Sequence, residues 1–356
     1  MEVKYPPVAA SRRKHVAVVP GDGIGLEVIP QAVRVMESFQ AGIEFEVFDI
    51  GAERYLATGE AMPDRIFEQL AQADAILLGA IGDPRITDPN YSGQILMGLR
   101  SRLDLFANVR PAVLLDDRLS PLADAGRRQV DLVVLRENTE GLYSGQGSRF
   151  HPGTPREVAI QDHYNTYAGV TRIIRYAFSI ARREVCMADK WNAMPHAGAL
   201  WQERFWTIAA ETPQITARHL MIDAAALHLL QDPSHFDVIV TENAFGDILS
   251  DLCAGLAGGL GVAPSANLNP ERGQGVFEPV HGSAPDIAGR GIANPVASIL
   301  TAALALDHLQ LGAEANAVRA AVRAAVRARE CTTDLGGSLQ TDQATDAVIS
   351  RIGVVG

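Results

Sequence analysis

The chain has 356 residues, a formal charge of −11, 47% apolar residues and 21% charged ones. That length suits two domains or one large one, and the composition supplies a full core, which excludes disorder, collagen and coiled coil. A net polyanion is repelled by nucleic-acid phosphates and anionic membrane surfaces, so no nucleic acid and no membrane is expected as a partner. Cys186, Cys253 and Cys331 are too few and too scattered for a disulfide framework or a zinc site, and fit a reducing compartment. The N-terminal MEVKYPPVAASRRKH lacks an apolar h-region, and no apolar run is long enough to span a bilayer. A soluble, cytoplasmic protein is expected.

The first expected element is a strand in HVAVVP, ending in the glycine-rich turn GDGIG. Leu26, Ile29, Val33 and Met36 then recur at helical spacing. Strand-like runs return at Ala75–Gly79, Leu132–Leu135 and Val238–Thr241, separated by helical stretches, which argues for an α/β protein with a largely parallel sheet. Residues 145–157 carry enough Gly and Pro to form a loop or projecting arm. Near the C-terminus Val318, Val322 and Val326 form an apolar stripe beside Arg319, Arg323 and Arg327, the pattern of an amphipathic surface helix with a solvated basic edge.

Gly21, Gly23 and Gly25 resemble a dinucleotide fingerprint, but Leu26 stands where that motif needs its third glycine for close helix–strand packing. A tight strand-to-helix connection explains them without a phosphate. ENAFGDILSDL carries a stronger signal. Asp247 and Asp251 are four apart in a helical segment, so both carboxylates share one face. Such a pair destabilises a helix unless a cation neutralises it, and Mg²⁺ is served by one or two carboxylates plus substrate oxygens; the plain alternative is a solvated acidic face. Asp223 has no ligand signature of its own. Arg100, Arg110 and Arg136 supply the complementary charge, and converging guanidiniums suit a di- or tricarboxylic acid, although each arginine taken singly also suits a structural salt bridge. Arg136 ends a strand-like run, where open α/β sheets place ligands. Tyr143 has a phenol able to donate a proton, and Lys190 has an amine able to accept one once its pKa is lowered. Residues 279–295, PVHGSAPDIAGRGIANP, could arrange backbone N–H groups around an anion, and Asp286 there could accept from ribose hydroxyls; turn chemistry also favours Asp.

Taken in order, VVPGDGIGLEVI, LRSRLDLFANVRP, LRENTEGLYSG, ADKWNAM, VTENAFGDILSDL and EPVHGSAPDIAGRGIANP resemble the β-decarboxylating dehydrogenases, the isocitrate/isopropylmalate dehydrogenase family. The resemblance runs from residue 15 to about residue 310 and implies a twisted mixed sheet with flanking helices, not a Rossmann domain. It implies a discontinuous cofactor-side domain of residues 1–105 and 259–356, and a central domain of residues 106–258 with metal ligands and a dimerisation arm. It further implies a homodimer or higher homo-oligomer with shared active sites.

Carried over by motif, Arg100, Arg110 and Arg136 hold the malate carboxylates, and Asp247 and Asp251 bind Mg²⁺ or Mn²⁺ with Asp223 from a second subunit. Tyr143 is the acid, and Lys190, also from the second subunit, helps remove the hydroxyl proton. Asn192 lies near the nicotinamide, and Glu278, His281, Gly282, Ala284, Asp286, Ile287 and Asn294 line the cofactor site. An acid at Asp286, followed by Ile287 rather than the Lys–Tyr pair of many NADP-linked members, implies NAD.

Substrate choice in the family depends on the helix before Arg100. Isocitrate enzymes resemble one another in Ser and Asn where this chain has Gln94 and Leu96, and homoisocitrate enzymes often place Arg where it has Met97. Ile95, Leu96 and Met97 suggest an apolar wall, against which an unpaired third carboxylate would cost several kcal/mol. The expected substrate is a 3-alkylmalate, with 3-isopropylmalate leading. The alternatives are isocitrate, homoisocitrate, tartrate or D-malate, and, more remotely, an inactive regulatory or binding subunit.

Overall fold

A computed structural model describes residues 13–353; the N-terminal segment read above for a leader lies largely outside them. Strand β1 (Lys14–Val19) leads through the glycine-rich turn into α1 (Gly25–Glu37). Then come β2 (Ile43–Val47), α2 (Ala52–Thr58), α3 (Asp64–Leu70), β3 (Ala75–Leu78) and α4 (Tyr91–Arg102). The middle of the chain forms β4 (Ala107–Val113), β5 (Asp131–Glu137), β6 (Gly147–Phe150), β7 (Val158–Gln161) and α5 (Tyr167–Ile180). It continues through β8 (Glu184–Asp189), α6 (Pro195–Glu211), β9 (Thr216–Met221), α7 (Ile222–Gln231), β10 (Val238–Thr241) and α8 (Asn243–Ala257). Last are β11 (Pro264–Asn269), β12 (Gln274–Pro279), α9 (Val296–His308), α10 (Gly312–Arg327) and α11 (Thr341–Ile352).

Among the described residues, ten strands form one sheet in the order β2-β1-β3-β12-β11-β4-β5-β10-β8-β9. Pairing is parallel on both flanks and antiparallel at β12–β11, β11–β4 and β4–β5. Because that makes three reversals, the strands of the two flanks run in opposite directions. The expected parallel sheet is therefore correct for the flanks, where buried apolar runs such as Ala75–Leu78 and Val238–Thr241 need cover on both faces. It misses the antiparallel centre, where β4 and β11 carry Asn, Arg and Pro and read poorly as strands.

The two faces of the sheet are packed differently. On one, a continuous core runs from Val16 and Val18 of β1 to Val133 and Leu135 of β5 and Val238 and Val240 of β10, under α1, α5, α6, α9 and α10. On the other, Ala17, Val19 and Ile76 pack under α2, α3 and α4, while Leu132, Val134 and Ile239 pack separately under α7 and α8. Strand alternation sends Arg110, Arg136 and Glu278 to this second face, between its two cores. The split face positions the site.

Three local expectations are revised. Leu26 does not belong to the buried stripe of α1: it is 59% exposed, and Val28, Ile29, Ala32, Val35 and Met36 are buried instead. Nor does it obstruct helix–strand packing, because the close approach falls at Gly25, where a Cβ would collide with the Pro20 carbonyl. Of the loop or projecting arm expected at residues 145–157, the structure has the arm, with strands the sequence reading did not foresee: β6 pairs with β7 in an exposed antiparallel hairpin. The α10 stripe is as expected, with Val318, Val322 and Val326 in the core. The three cysteines are buried and unpaired. Among the described residues no helix is long and apolar enough to cross a membrane.

Candidate active site

Tyr91, Ile95 and Leu99 lie one turn apart along α4 and are buried in the core of the split face. Ile95 is thus a core residue and not part of a pocket wall, which corrects the reading above: its side chain is taken up by packing. Leu96 and Met97 stand four and three residues before Arg100, each within helical contact spacing of it, and all three are half-buried. Arg100 Nη2 donates to Oε1 of Glu278 on β12 at 2.9 Å, and Asn267 Nδ2 donates to the same oxygen at 2.8 Å. Burial alone would raise the Glu278 carboxyl, but Arg100 and Asn267 outweigh it and hold the group below its ordinary range.

Arg110 and Arg136 approach from neighbouring strands β4 and β5. Arg110 Nη1 donates to Ser250 Oγ at 2.7 Å and lies 3.3 Å from Asp247 Oδ1 and 3.5 Å from Asp251 Oδ1. Arg136 Nε donates to Asn243 Oδ1 at 3.0 Å, and its Nη1 pairs with Asp247 Oδ1. Gly246 makes room for this arrangement, since a Cβ there would strike the Arg136 side chain. Burial depresses the pKa of Arg110, and burial together with repulsion from Arg110 depresses that of Arg136 to about 10. Desolvated, mutually repelling guanidiniums favour an anion that bridges them.

Helix α8 starts where the Glu242 carboxylate accepts from the backbone N–H groups of Ala244 and Phe245, at 3.1 and 2.8 Å. One turn in stands Asp247, and one turn further Asp251, whose carboxyl is pushed up by burial and by repulsion from Asp247. Two oxygen-only donors whose charges oppose each other suit a hard divalent cation. Tyr143 Oη lies 3.4 Å from Asp247 Oδ2, and the guanidinium carbon of Arg136 lies 5.6 Å from the phenol ring centre. Burial, with Asp247, raises the Tyr143 pKa and keeps the phenol protonated.

Lys190 and Asp223 form a separate pair, with Nζ 2.5 Å from Oδ1. Arg136, Thr241 and Ala188 are in register across β5, β10 and β8, so Lys190 sits at the same strand ends as Arg136. Two strand spacings, about 10 Å, separate them. Among the described residues no hydrogen bond or ion pair links this pair to Asp247 or Asp251, and no three His, Cys, Asp or Glu side chains cluster as metal ligands. Asn192 is exposed in the turn after Lys190.

The loop after β12 packs on the glycine-rich turn: Ile24 N donates to the Ser283 carbonyl at 2.8 Å, and Ala284 and Ile287 pack against Ile24, Val28 and Ala293. His281 has a buried Nε2 with no hydrogen-bond partner, and burial lowers its pKa, leaving a neutral ring with spare polar capacity. Gly282 and Asp286 are exposed. An orphan imidazole nitrogen and, on the same loop, the Asp286 carboxylate, which makes no side-chain hydrogen bond or ion pair among the described residues, fit a polar cofactor with hydroxyl groups. Asn294 is differently placed, because its Nδ2 donates to Asp334 at 2.8 Å and its Oδ1 accepts from Val296 N at 3.0 Å. Both ends of that side chain are used within the fold.

Three contributors are missing from the sequence reading. Asp22 is buried, and its carboxylate accepts from Ala52 N at 2.6 Å, Gly82 N at 2.7 Å and Tyr91 Oη at 2.8 Å, tying the glycine-rich turn to the start of α4. Its only signal in the sequence is an acid between two glycines. Asn243 and Ser250, which orient Arg136 and Arg110, have no signal beyond falling at helix spacing from Asp247.

The family model described as isocitrate/isopropylmalate dehydrogenase matches residues 15–348. A 3-isopropylmalate dehydrogenase from Rhodococcus erythropolis is 45% identical over 94% of this chain and 99% of its own. The crystal structure of isocitrate dehydrogenase from Methylococcus capsulatus superposes with a TM-score of 0.86 at 35% identity, covering 95% of this chain and 99% of that one. A β-decarboxylating dehydrogenase from Thermococcus kodakarensis gives 0.80 at 36% identity, covering 96% of both chains. With its mixed sheet, its arginine–aspartate cluster and these matches, the chain belongs to the isocitrate/isopropylmalate dehydrogenase family.

Proposed function

We propose that this protein catalyses the NAD-dependent oxidative β-decarboxylation of a 3-alkylmalate, with 3-isopropylmalate the leading substrate. The observation that carries the substrate reading is the apolar pair Leu96 and Met97, one turn before Arg100 and on its side of α4. The relatives named 3-isopropylmalate dehydrogenase support it. In this reading Arg100, Arg110 and Arg136 grip the two malate carboxylates, while Leu96 and Met97 face the alkyl substituent on C3.

A bound nicotinamide would supply the hydride acceptor for C2, and a bound Mg²⁺ or Mn²⁺ would supply Lewis acidity at the C2 oxygen. Asp247 and Asp251 hold that cation together with the partner subunit's Asp223. The partner's Lys190 accepts the hydroxyl proton, and Tyr143 returns a proton to C3. Such sharing requires a homodimer or larger assembly, for which the exposed β6–β7 hairpin serves as the clasping arm. The domains divide as residues 1–105 with 259–356 and residues 106–258, with the split face between their two cores.

Glu278, His281, Gly282, Ala284, Ile287 and Asn294 line the cofactor site, with Asn192 beside the nicotinamide. Asp286 selects NAD, because its carboxylate accepts from ribose hydroxyls and repels a 2′-phosphate. The test is a panel of 3-isopropylmalate, isocitrate, homoisocitrate, tartrate and D-malate, each assayed with NAD and with NADP in the presence of Mg²⁺. Highest kcat/KM is expected for 3-isopropylmalate with NAD. Faster turnover of isocitrate would overturn the apolar-wall reading, and an NADP preference would overturn the role of Asp286.

A further inference from the structure

The face of the sheet opposite the catalytic arginines contains a cavity of about 220 Å³, bounded by β4, β5, α9, α10 and the start of β11. Strand alternation places it there: Arg110 and Ala112 point toward α8, whereas Pro111 and Val113 point away from it. Its walls are aliphatic, formed by Val113, Leu115, Val262, Leu300 and Leu304. Two arginines of α10, one turn apart, also line it, and they differ in what they already hold. Arg319 is committed to Asp307 and to Asn316, the latter at 3.1 Å. Arg323 is exposed and makes no hydrogen bond or ion pair among the described residues. The acid in the lining, Asp131, pairs with Arg182 at 2.8 Å, a guanidinium it shares with the buried Asp237 at 2.9 Å, so neither Asp131 nor Arg182 calls on Arg323. An apolar chamber with one uncommitted guanidinium results.

We propose that this cavity is a second binding site, distinct from the catalytic centre, for a short aliphatic monocarboxylate. The hydrocarbon chain lies against Leu300 and Leu304, and the carboxylate pairs with Arg323 at the mouth. Size sets the class: an apolar cavity of about 150 Å³ holds benzene, so this one takes a chain of about six carbons with its headgroup. Charge sets the headgroup, since guanidinium forks match carboxylates. The site does not depend on which malate the enzyme oxidises.

Titration of the full-length protein with hexanoate, followed by ligand-observed NMR, tests the assignment. Across butanoate, pentanoate and hexanoate, each added methylene should tighten binding about fourfold, which is the burial of one CH₂ expressed as an equilibrium constant. Arg323→Gln should weaken hexanoate at least tenfold, and Leu304→Trp, which fills the chamber, should abolish binding. Arg136→Gln should leave it within twofold. Comparing hexanoate with 4-methyl-2-oxopentanoate separates a fatty-acid ligand from a branched oxo acid. Because that oxo acid is also the product expected at the catalytic arginines, its binding supports the site only where it survives Arg136→Gln and is weakened by Arg323→Gln, and the reverse pattern counts against it. Three outcomes would overturn it: binding lost in Arg136→Gln but kept in Arg323→Gln, affinity independent of chain length, or hexanol binding as tightly as hexanoate. The first would place the carboxylate on the catalytic arginines.

Discussion

The Nζ of Lys190 and the Oδ1 of Asp223 stand 2.5 Å apart, joining the end of β8 to the first turn of α7. Lys190 holds the Asp223 carboxyl below its ordinary range. Among the described residues the pair makes no hydrogen bond or ion pair to Asp247 or Asp251, and the proposed active site joins the two groups by drawing them from different subunits. Lys190→Ala and Asp247→Asn homo-oligomers should each be nearly inactive. Mixing them one to one, with subunit exchange, should restore about a quarter of wild-type activity, since half the dimers then carry one intact site of two. No recovery in verified hybrids would place both residues in one chain's site.

Asp247 is the common partner of Arg110, Arg136 and Tyr143. Asp247→Asn should lower kcat by at least about a hundredfold at saturating Mg²⁺, the loss of several kcal/mol of electrostatic stabilisation. Steady-state assay over a Mg²⁺ range checks it, and near-normal turnover would remove Asp247 from the metal site.

Tyr143→Phe leaves the ring and removes the proton donor. A kcat loss of about a hundredfold to ten-thousandfold is expected, with KM little changed, because the phenol acts after substrate is gripped by the arginines. Its raised pKa adds a pH expectation: any alkaline limb from this group should lie at higher pH than an ordinary phenol would give. Rates measured from pH 7 to 10, with stability monitored in parallel, provide the check.

Glu137, beside Arg136 in β5, is buried, and desolvation raises its carboxyl to about 7 against the opposing hydrogen bonds from Thr139 and Glu140. Between its ordinary pKa and 7 the folded state binds more protons than the unfolded one, so this group makes stability fall as pH rises through that window. Glu137→Gln cannot ionise. Its thermal stability relative to wild type should therefore improve from pH 5 to pH 8, by an amount on the order of a few kcal/mol. A difference in Tm that stays constant with pH would refute the buried charge.

The two stripes of α4 should respond differently to truncation. Ile95→Ala should destabilise the fold by about 2–5 kcal/mol, the usual cost of a cavity at a fully buried site. Leu96→Ala and Met97→Ala should instead lower kcat/KM for 3-isopropylmalate by about tenfold or more, with a much smaller loss of stability. Chemical denaturation and substrate kinetics on the same three variants separate the effects.

The sequence is most legible where one physical rule acts alone. The runs at Ala75–Leu78 and Val238–Thr241 are buried on both faces and read directly as parallel strands, and the α10 stripe reads directly as a helix face. The arginines and the Asp247–Asp251 pair are visible as chemistry, but their convergence is not, because Arg100, Arg110 and Arg136 arrive from a helix and two antiparallel strands. Helical spacing alone cannot say which side of α4 is buried, which is why Ile95 reads like Leu96. Asp22 is silent because its three donors, Ala52, Gly82 and Tyr91, come from separate parts of the chain.

The division of α4 into a core stripe and a half-buried stripe also bears on how such an enzyme changes over evolutionary time. Tyr91, Ile95 and Leu99 anchor the helix, while Leu96 and Met97 are held in place by it without being its main support. If those two residues face the C3 substituent, as proposed, mutation there explores new substituents while Arg100 keeps its pair with Glu278 and the backbone keeps its course. A duplicated gene could thus drift toward another malate through folded, stable intermediates, with the helix's own anchors acting as a reserve against lost stability.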